Sequence, residues 1–153
     1  MRKEKVNAKE IIFRIGDVGN GESVGWVPYS KAIKTIVFDY LEPQYKNAYS
    51  RATFTSEIFS ILADWDNFYR ENNQLTTDGY FFKLNKYFLD EWKITKGVLQ
   101  TSTVTLQEMG WIDKKIEKEH IDGHPQDTPY YKINHEKVIK DIQKKYPNTY
   151  KLF

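Results

Sequence analysis

The sequence contains no cysteine, and this absence excludes several kinds of chemistry at once. Disulfides, thiol catalysis and the cysteine-based zinc sites of many small domains all require that residue. The chain also has no run of 18 apolar residues, and no apolar segment follows the charged residues at its start. We therefore expect neither a membrane span nor a secretory signal, and the sequence predicts a cytoplasmic protein.

Glycine and proline are scarce, with 8 and 5 residues in 153, whereas 16% of the residues are aromatic. This composition is typical of a folded domain and not of a linker or a disordered tail. A chain of this length buries about two thirds of its unfolded surface, which is enough for one core. We expect residues 45–146 to form the domain and residues 147–153 a tail. Residues 1–44, in which β-prone runs flank a glycine-rich turn, should form an N-terminal β-hairpin or arm packed on the domain.

The sequence also lacks the patterns that mark catalytic and metal sites. Neither G-x-S-x-G nor H-E-x-x-H is present, so no nucleophile elbow or zinc-protease helix is expected. His120, Asp122 and His124 alternate along the chain and could in principle share a metal ion. The intervening Gly123 and Pro125 instead indicate an exposed turn. We expect no enzyme, no cofactor and no metal site.

Hydrophobic periodicity predicts the order helix, strand, helix, helix, strand, strand, helix across residues 45–146. A long amphipathic helix is expected between Tyr45 and Asn73, and a short strand near residues 80–84. Two β-prone runs between residues 111 and 134 should form a hairpin with its tip near Gly123. Asn134 can cap a last helix, which Pro147 would end.

The most specific feature is a pair of short helices, about Asn85–Trp92 and Lys96–Met109, separated by a tight turn. Thr95 is placed to cap the second helix. Apolar contacts between the two should come from Leu89, Trp92, Ile94, Leu99, Thr103, Leu106 and Met109. With the hairpin following as a wing, this order predicts an α+β fold, a winged helix-turn-helix with a C-terminal helix.

The outward face of the second helix is then the candidate functional surface. Residues 83–118 carry seven Lys or Arg against five Asp or Glu, which favours a DNA partner. Glutamine can pair with adenine, and threonine and lysine can meet bases or phosphates. The candidate base contacts are Lys96, Gln100, Thr101 and Thr105. The candidate phosphate contacts are Lys86, Lys114, Lys115 and Lys118.

Two alternatives remain open because the second helix has one lysine and no arginine. A winged helix can serve as a protein-interaction module, an adaptor or inhibitor that does not bind DNA. Aromatic residues between Tyr80 and Trp92 could instead form a stacking platform for single-stranded DNA. Duplex DNA is the expected partner, with replication proteins as further candidates. Tyrosines of the N-terminal third could build a homodimer contact, and no membrane partner is expected.

The segment from Glu57 to Ile142 also resembles a known family. The resemblance lies in residues 58–65 with their aromatic end, 78–83, 89–92, 106–112 and 129–134, in that order. It is similar to the winged-helix domains of replication-initiation proteins from phages and mobile elements of Gram-positive bacteria, which are related to DnaD-like primosome proteins. The resemblance implies DNA binding in replication initiation or regulation. It does not separate initiators from transcription regulators, which share the same motifs.

Overall fold

A computed structural model describes residues 30–147. The β-prone runs of the expected N-terminal hairpin and residues 148–153 of the expected tail lie outside this range. Within it the chain is a mixed α+β structure with five helices and a three-stranded antiparallel sheet. No helix in the same range combines the length and the apolar character needed to cross a bilayer.

The first described element is a helix, α1 (Lys31–Leu41), in a segment that we expected to belong to a hairpin or arm. The Ser30 hydroxyl caps it by accepting a hydrogen bond from the Ile33 amide at 3.3 Å. Ile33, Val37 and Leu41 are fully buried and lie three to four residues apart, so they form one apolar face. That face packs on the next helix, and α1 is therefore part of the core.

The second helix, α2 (Ala48–Glu71), spans 24 residues and confirms the expected long amphipathic helix. Ile58, Ile61 and Leu62 have no solvent exposure, as their spacing predicts. Phe59 of the same helix meets Trp111 with ring centres 5.0 Å apart. The helix thus links the centre of the core to the segment that follows the helix pair.

Next come β1 (Phe81–Phe82), α3 (Asn85–Trp92) and α4 (Lys96–Glu108), which confirm the expected pair of short helices. Lys93 adopts a left-handed conformation (φ 57°) and ends α3, and the Thr95 hydroxyl accepts from the Val98 amide to start α4. The inward set is mostly as expected. Leu89 is the exception, because it is 49% exposed and the fully buried residue of α3 is its neighbour Phe88.

A hairpin of β2 (Ile112–Ile121) and β3 (His124–Ile133) follows. Its two-residue tip is Asp122-Gly123, with φ of 53° and 78°, which is the backbone of a tight type I′ turn. The expected position of the tip is confirmed. Because β1 pairs with β3 at Phe81↔Tyr131, the sheet order is β1-β3-β2.

The last described element, α5 (His135–Lys145), is the expected C-terminal helix. Asn134 lies at its cap position, but the expected side-chain cap is wrong: the Asn134 amide donates to the Gly110 carbonyl at 3.0 Å. The Asn134 backbone amide donates to Trp111 O at 2.9 Å, and Trp111 Nε1 donates to Asp141 Oδ2 at 2.7 Å. These three hydrogen bonds join the base of the hairpin to α5.

Candidate nucleic-acid interface

The exposed side of α4 forms a ridge between two grooves. Gln100 and Val104 are one helical turn apart, so they project from the same side of the helix. Both are exposed, Val104 by 44%. They are also the two residues that line both neighbouring grooves. We call Gln100 and Val104 the α4 ridge.

The groove between α4 and the hairpin has a volume of about 440 Å³. We call it the β2 groove. Lys96 lines it from the start of α4, and Lys114 and Ile116 line it from β2. Asn85 contributes from α3, and its buried Oδ1 atom has no hydrogen-bond partner among the described residues. The β2 groove therefore combines two cations with amide and aliphatic groups.

The groove on the other side of the ridge, between α4 and the start of α2, has a volume of about 430 Å³. We call it the α2 groove. Arg51 lines it, and its guanidinium lies 3.8 Å from the centre of the Tyr45 ring. Glu108 lies at its far end and accepts a hydrogen bond from the Tyr40 hydroxyl at 3.1 Å. Helix α4 contains no arginine, but Arg51 of α2 places a guanidinium in the groove beside it.

The charges that line the two grooves are unequal. Lys96, Lys114 and Arg51 are cations, and Glu108 is the one carboxylate among the lining residues. Within residues 30–147, neither α1 nor α2 covers the ridge, since both of its side chains are exposed. Among the described residues the ridge is therefore an open surface with a local positive surplus, which attracts anions.

The structure places the candidate base contacts in two different environments. Lys96 and Gln100 are exposed and Thr101 is half-buried, and all three line one groove or both. Thr105 also lines the α2 groove but is more enclosed. It is 5% exposed, and its hydroxyl donates to the Thr101 carbonyl at 3.0 Å, so a base contact from Thr105 would require this hydrogen bond to open.

The hairpin lysines are divided between the two faces of the sheet. Alternate strand residues point to opposite faces, so Lys114 and Lys118 share the face of Ile116, whereas Lys115 lies on the other. Lys115 Nζ contacts Asp78 at 3.4 Å and Glu117 at 3.2 Å. The structure therefore places Lys115, an expected phosphate contact, on the face of the hairpin away from α4.

The two lysines on the α4 side differ in their surroundings. Lys118 is exposed. The Lys114 ammonium lies 5.5 Å from the centre of the buried Tyr131 ring, and burial lowers the pKa of Lys114. Lys118 is thus free to meet a phosphate, and Lys114 is held at the edge of the β2 groove.

The remaining candidate phosphate contact, Lys86, lies elsewhere. It is exposed on α3 and lines a separate pocket of about 330 Å³ with Asp90 and Glu91. Those carboxylates reduce the local positive potential. The structure therefore does not bring Lys86 to the α4 ridge.

Several residues that line the grooves were not predicted from the sequence, among them Arg51, Val104, Gln107 and Ile116. Val104 and Gln107 follow Gln100 at helical spacing, so their place on the exposed side of α4 could have been predicted from the sequence. Arg51 lines its groove because α2 packs beside α4, and Ile116 lines its groove because alternate residues of β2 face α4. Neither position could be predicted from local sequence. A scan against protein-family models and a search of curated proteins both found no match to this chain.

Proposed function

We propose that this chain is a winged-helix protein that binds duplex DNA, with α4 in the major groove and the β2–β3 hairpin beside it. The observation that carries the proposal is the α4 ridge, a pair of exposed side chains that can contact base edges. The two grooves beside it are lined by three cations and one carboxylate. The chain order of α3, turn, α4 and hairpin is that of a helix-turn-helix followed by a wing.

The dimensions of α4 suit this role. Its 13 residues correspond to a length of about 20 Å at the helical rise. The major groove of B-DNA is about 12 Å wide and admits one α-helix. Cations flank the ridge on both sides, Lys96 and Lys114 at the β2 groove and Arg51 at the α2 groove, where they can meet the two sugar-phosphate backbones.

Gly97 provides separate support. It lies on α4 one turn before the ridge, is exposed, and has no described atom within 4 Å of where a Cβ would be. A helical glycine costs about 1 kcal/mol relative to alanine. The described fold does not require a glycine at this position, whereas close approach of a DNA backbone would.

The proposed roles follow from position. Lys96, Gln100 and Thr101 make the base contacts, and Lys114, Lys118 and Arg51 hold phosphates on either side. The resemblance of residues 57–142 to replication-initiation domains supports a role in replication initiation or regulation on a bacterial mobile element.

The proposal is tested by fluorescence anisotropy with a labelled mixed-sequence duplex at a series of salt concentrations. Neutralising about four phosphates gives a log–log slope of roughly −4. Lys96→Glu should abolish binding, because it places a carboxylate where α4 enters the groove. Lys140→Glu is the matched control, since Lys140 is an exposed lysine on α5 outside both grooves. Absence of duplex binding at low salt, or equal effects of the two substitutions, would overturn the proposal.

A second candidate function is protein interaction through the same surface. Val104 is 44% exposed and Ile116 is 60% exposed, and both line the β2 groove. Exposed aliphatic side chains are typical of protein contacts as well as of contacts to thymine methyl groups. The anisotropy experiment separates the two, because a protein-interaction module does not bind the duplex.

A further inference from the structure

We infer that the α4 ridge reads an A·T base pair, with the Gln100 amide on adenine and the Val104 side chain on the thymine methyl group. This inference rests on the proposed duplex binding and adds the class of base pair that the surface recognises. It follows from the two side chains of the ridge and from what surrounds them.

The chemistry of the ridge matches one kind of base-pair edge. In the major groove an A·T pair presents an acceptor and a donor on adenine, then an acceptor and a methyl group on thymine. A glutamine amide carries one donor group and one acceptor, which match adenine N7 and N6. Val104, one turn along the same side of α4, supplies an aliphatic surface for the methyl group.

The ridge itself carries none of the groups that would read a G·C pair. Lys96, which can contact guanine, lies one turn before Gln100 at the start of α4 and would therefore meet a neighbouring base pair. Guanine is read by arginine or lysine and cytosine by a carboxylate. The Arg51 guanidinium lies against the Tyr45 ring in the α2 groove, and Glu108 accepts the Tyr40 hydroxyl at the far end of α4. The ridge itself presents one amide and one aliphatic group.

The opposite side of the β2 groove extends the same preference. Ile116 projects from β2 and is 60% exposed, and it lines the groove together with Val104. Methyl groups of neighbouring thymines would therefore meet aliphatic surface from both α4 and the hairpin. The inferred site is a short A·T tract and not a single isolated pair.

The inference is tested with three labelled duplexes of equal length that share their flanks and differ in a central tract of A·T, G·C or I·C pairs. An I·C pair has the major-groove edge of G·C and the minor-groove edge of A·T, so it separates readout in the two grooves. We expect the A·T duplex to bind about tenfold more tightly than both others. Replacing thymine by uracil, which removes the methyl group, should weaken binding roughly fourfold.

Two substitutions assign these effects to residues. Gln100→Ala should remove the preference for A·T over G·C, and Val104→Ala should remove the difference between thymine and uracil. Both positions are exposed, and circular dichroism checks that the helices persist. Lys140→Ala, outside both grooves, should retain both preferences.

The outcomes separate this inference from the proposed function. Equal binding of A·T and G·C duplexes would overturn the inference and leave duplex binding intact. Equal binding of A·T and I·C duplexes would also overturn it, because the readout would then come from the minor groove. Failure to bind any duplex would overturn both.

Discussion

The Lys83 ammonium lies 2.9 Å from the centre of the Trp65 ring. It also lies 4.2 Å from the centre of the Tyr87 ring, and Lys83 is only 9% exposed. Within residues 30–147 no carboxylate forms an ion pair with it. Burial lowers the pKa of Lys83 from 10.5 to about 8, while the aromatic faces favour the charged form.

This pKa predicts a stability that rises with pH. Between about pH 8 and pH 10 the unfolded chain keeps the Lys83 proton and the folded chain loses it, so the free energy of unfolding increases across that window. Below the folded pKa both states are protonated and the contribution is constant. Lys83→Met should abolish the rise, which urea unfolding of both proteins along a pH series would measure.

Above about pH 10 the titration of tyrosines also changes the free energy of unfolding, so the pH series should end there. A hydrogen bond to Glu119 raises the pKa of Tyr130 to about 12, and burial raises the pKa of Tyr131. Raised tyrosine pKa values reduce stability above about pH 10, which is opposite in sign to the effect of Lys83. A constant stability difference between wild type and Lys83→Met from neutral pH to pH 10 would contradict the prediction.

Gly97→Ala should affect stability and DNA binding in opposite directions. Alanine should stabilise α4 by about 0.5–1 kcal/mol, because the site is helical, exposed and open. The added methyl group should weaken duplex binding if DNA approaches the backbone there. Urea unfolding and anisotropy measure the two effects.

Gly123→Ala is the control for the stability effect. Gly123 has a φ of +78°, which alanine adopts only with strain, so this substitution should destabilise the hairpin by about 1 kcal/mol. A loss of stability in Gly97→Ala would show that α4 needs the glycine for its own structure.

Much of this fold could be predicted from sequence because its signals are local. The spacing of Ile58, Ile61 and Leu62 predicts α2, and Asp122-Gly123 predicts the hairpin tip. Both depend on residues within a few positions of each other. The order of elements in residues 45–146 is confirmed for the same reason.

The differences from expectation concern which side chains of a helix or strand point to the core. That orientation depends on residues distant in the sequence. Thr55 of α2 hydrogen-bonds Ser102 of α4 at 3.4 Å, and this packing brings Thr105 inward. Lys115 lies on the face away from α4 because the first residue of β2 determines which strand residues point to each side of the sheet. Helix α1 could have been predicted from local sequence, because Ser30 can cap a helix and apolar residues follow it at helical spacing. The β-prone runs that precede it favoured the prediction of a hairpin or arm instead.

The two faces of the hairpin provide a matched pair of lysine substitutions. Lys118→Ala should weaken binding of every duplex and reduce the salt slope by about 1, because Lys118 lies on the α4 side. Lys115→Ala should leave affinity unchanged, since Lys115 pairs with Asp78 and Glu117 on the other face. Anisotropy across a salt series measures both. Equal losses would mean that the hairpin does not present its α4 face to DNA.

The buried carboxylate of Asp66 should be important for stability. Asp66 is 1% exposed, accepts from Arg70 Nη2 at 3.0 and 3.1 Å, and lies 3.0 Å from His135 Nε2. Asp66→Ala should cost about 2–3 kcal/mol, because it removes the buried carboxylate to which the Arg70 guanidinium donates two hydrogen bonds. Asp90→Ala, at an exposed carboxylate of α3, should cost less than about 0.5 kcal/mol. Urea unfolding compares them, and similar losses would rule out a structural role for the Asp66 cluster.

The hydrogen bonds of Asn134 and Trp111 have a mechanical consequence. They fix the base of the hairpin to Gly110, where α4 ends, and to Asp141 of α5. Because β2 forms one wall of the β2 groove, a displacement of α5 should change the width of that groove. We therefore expect a molecule that binds α5 to alter the proposed DNA-binding surface from a distance.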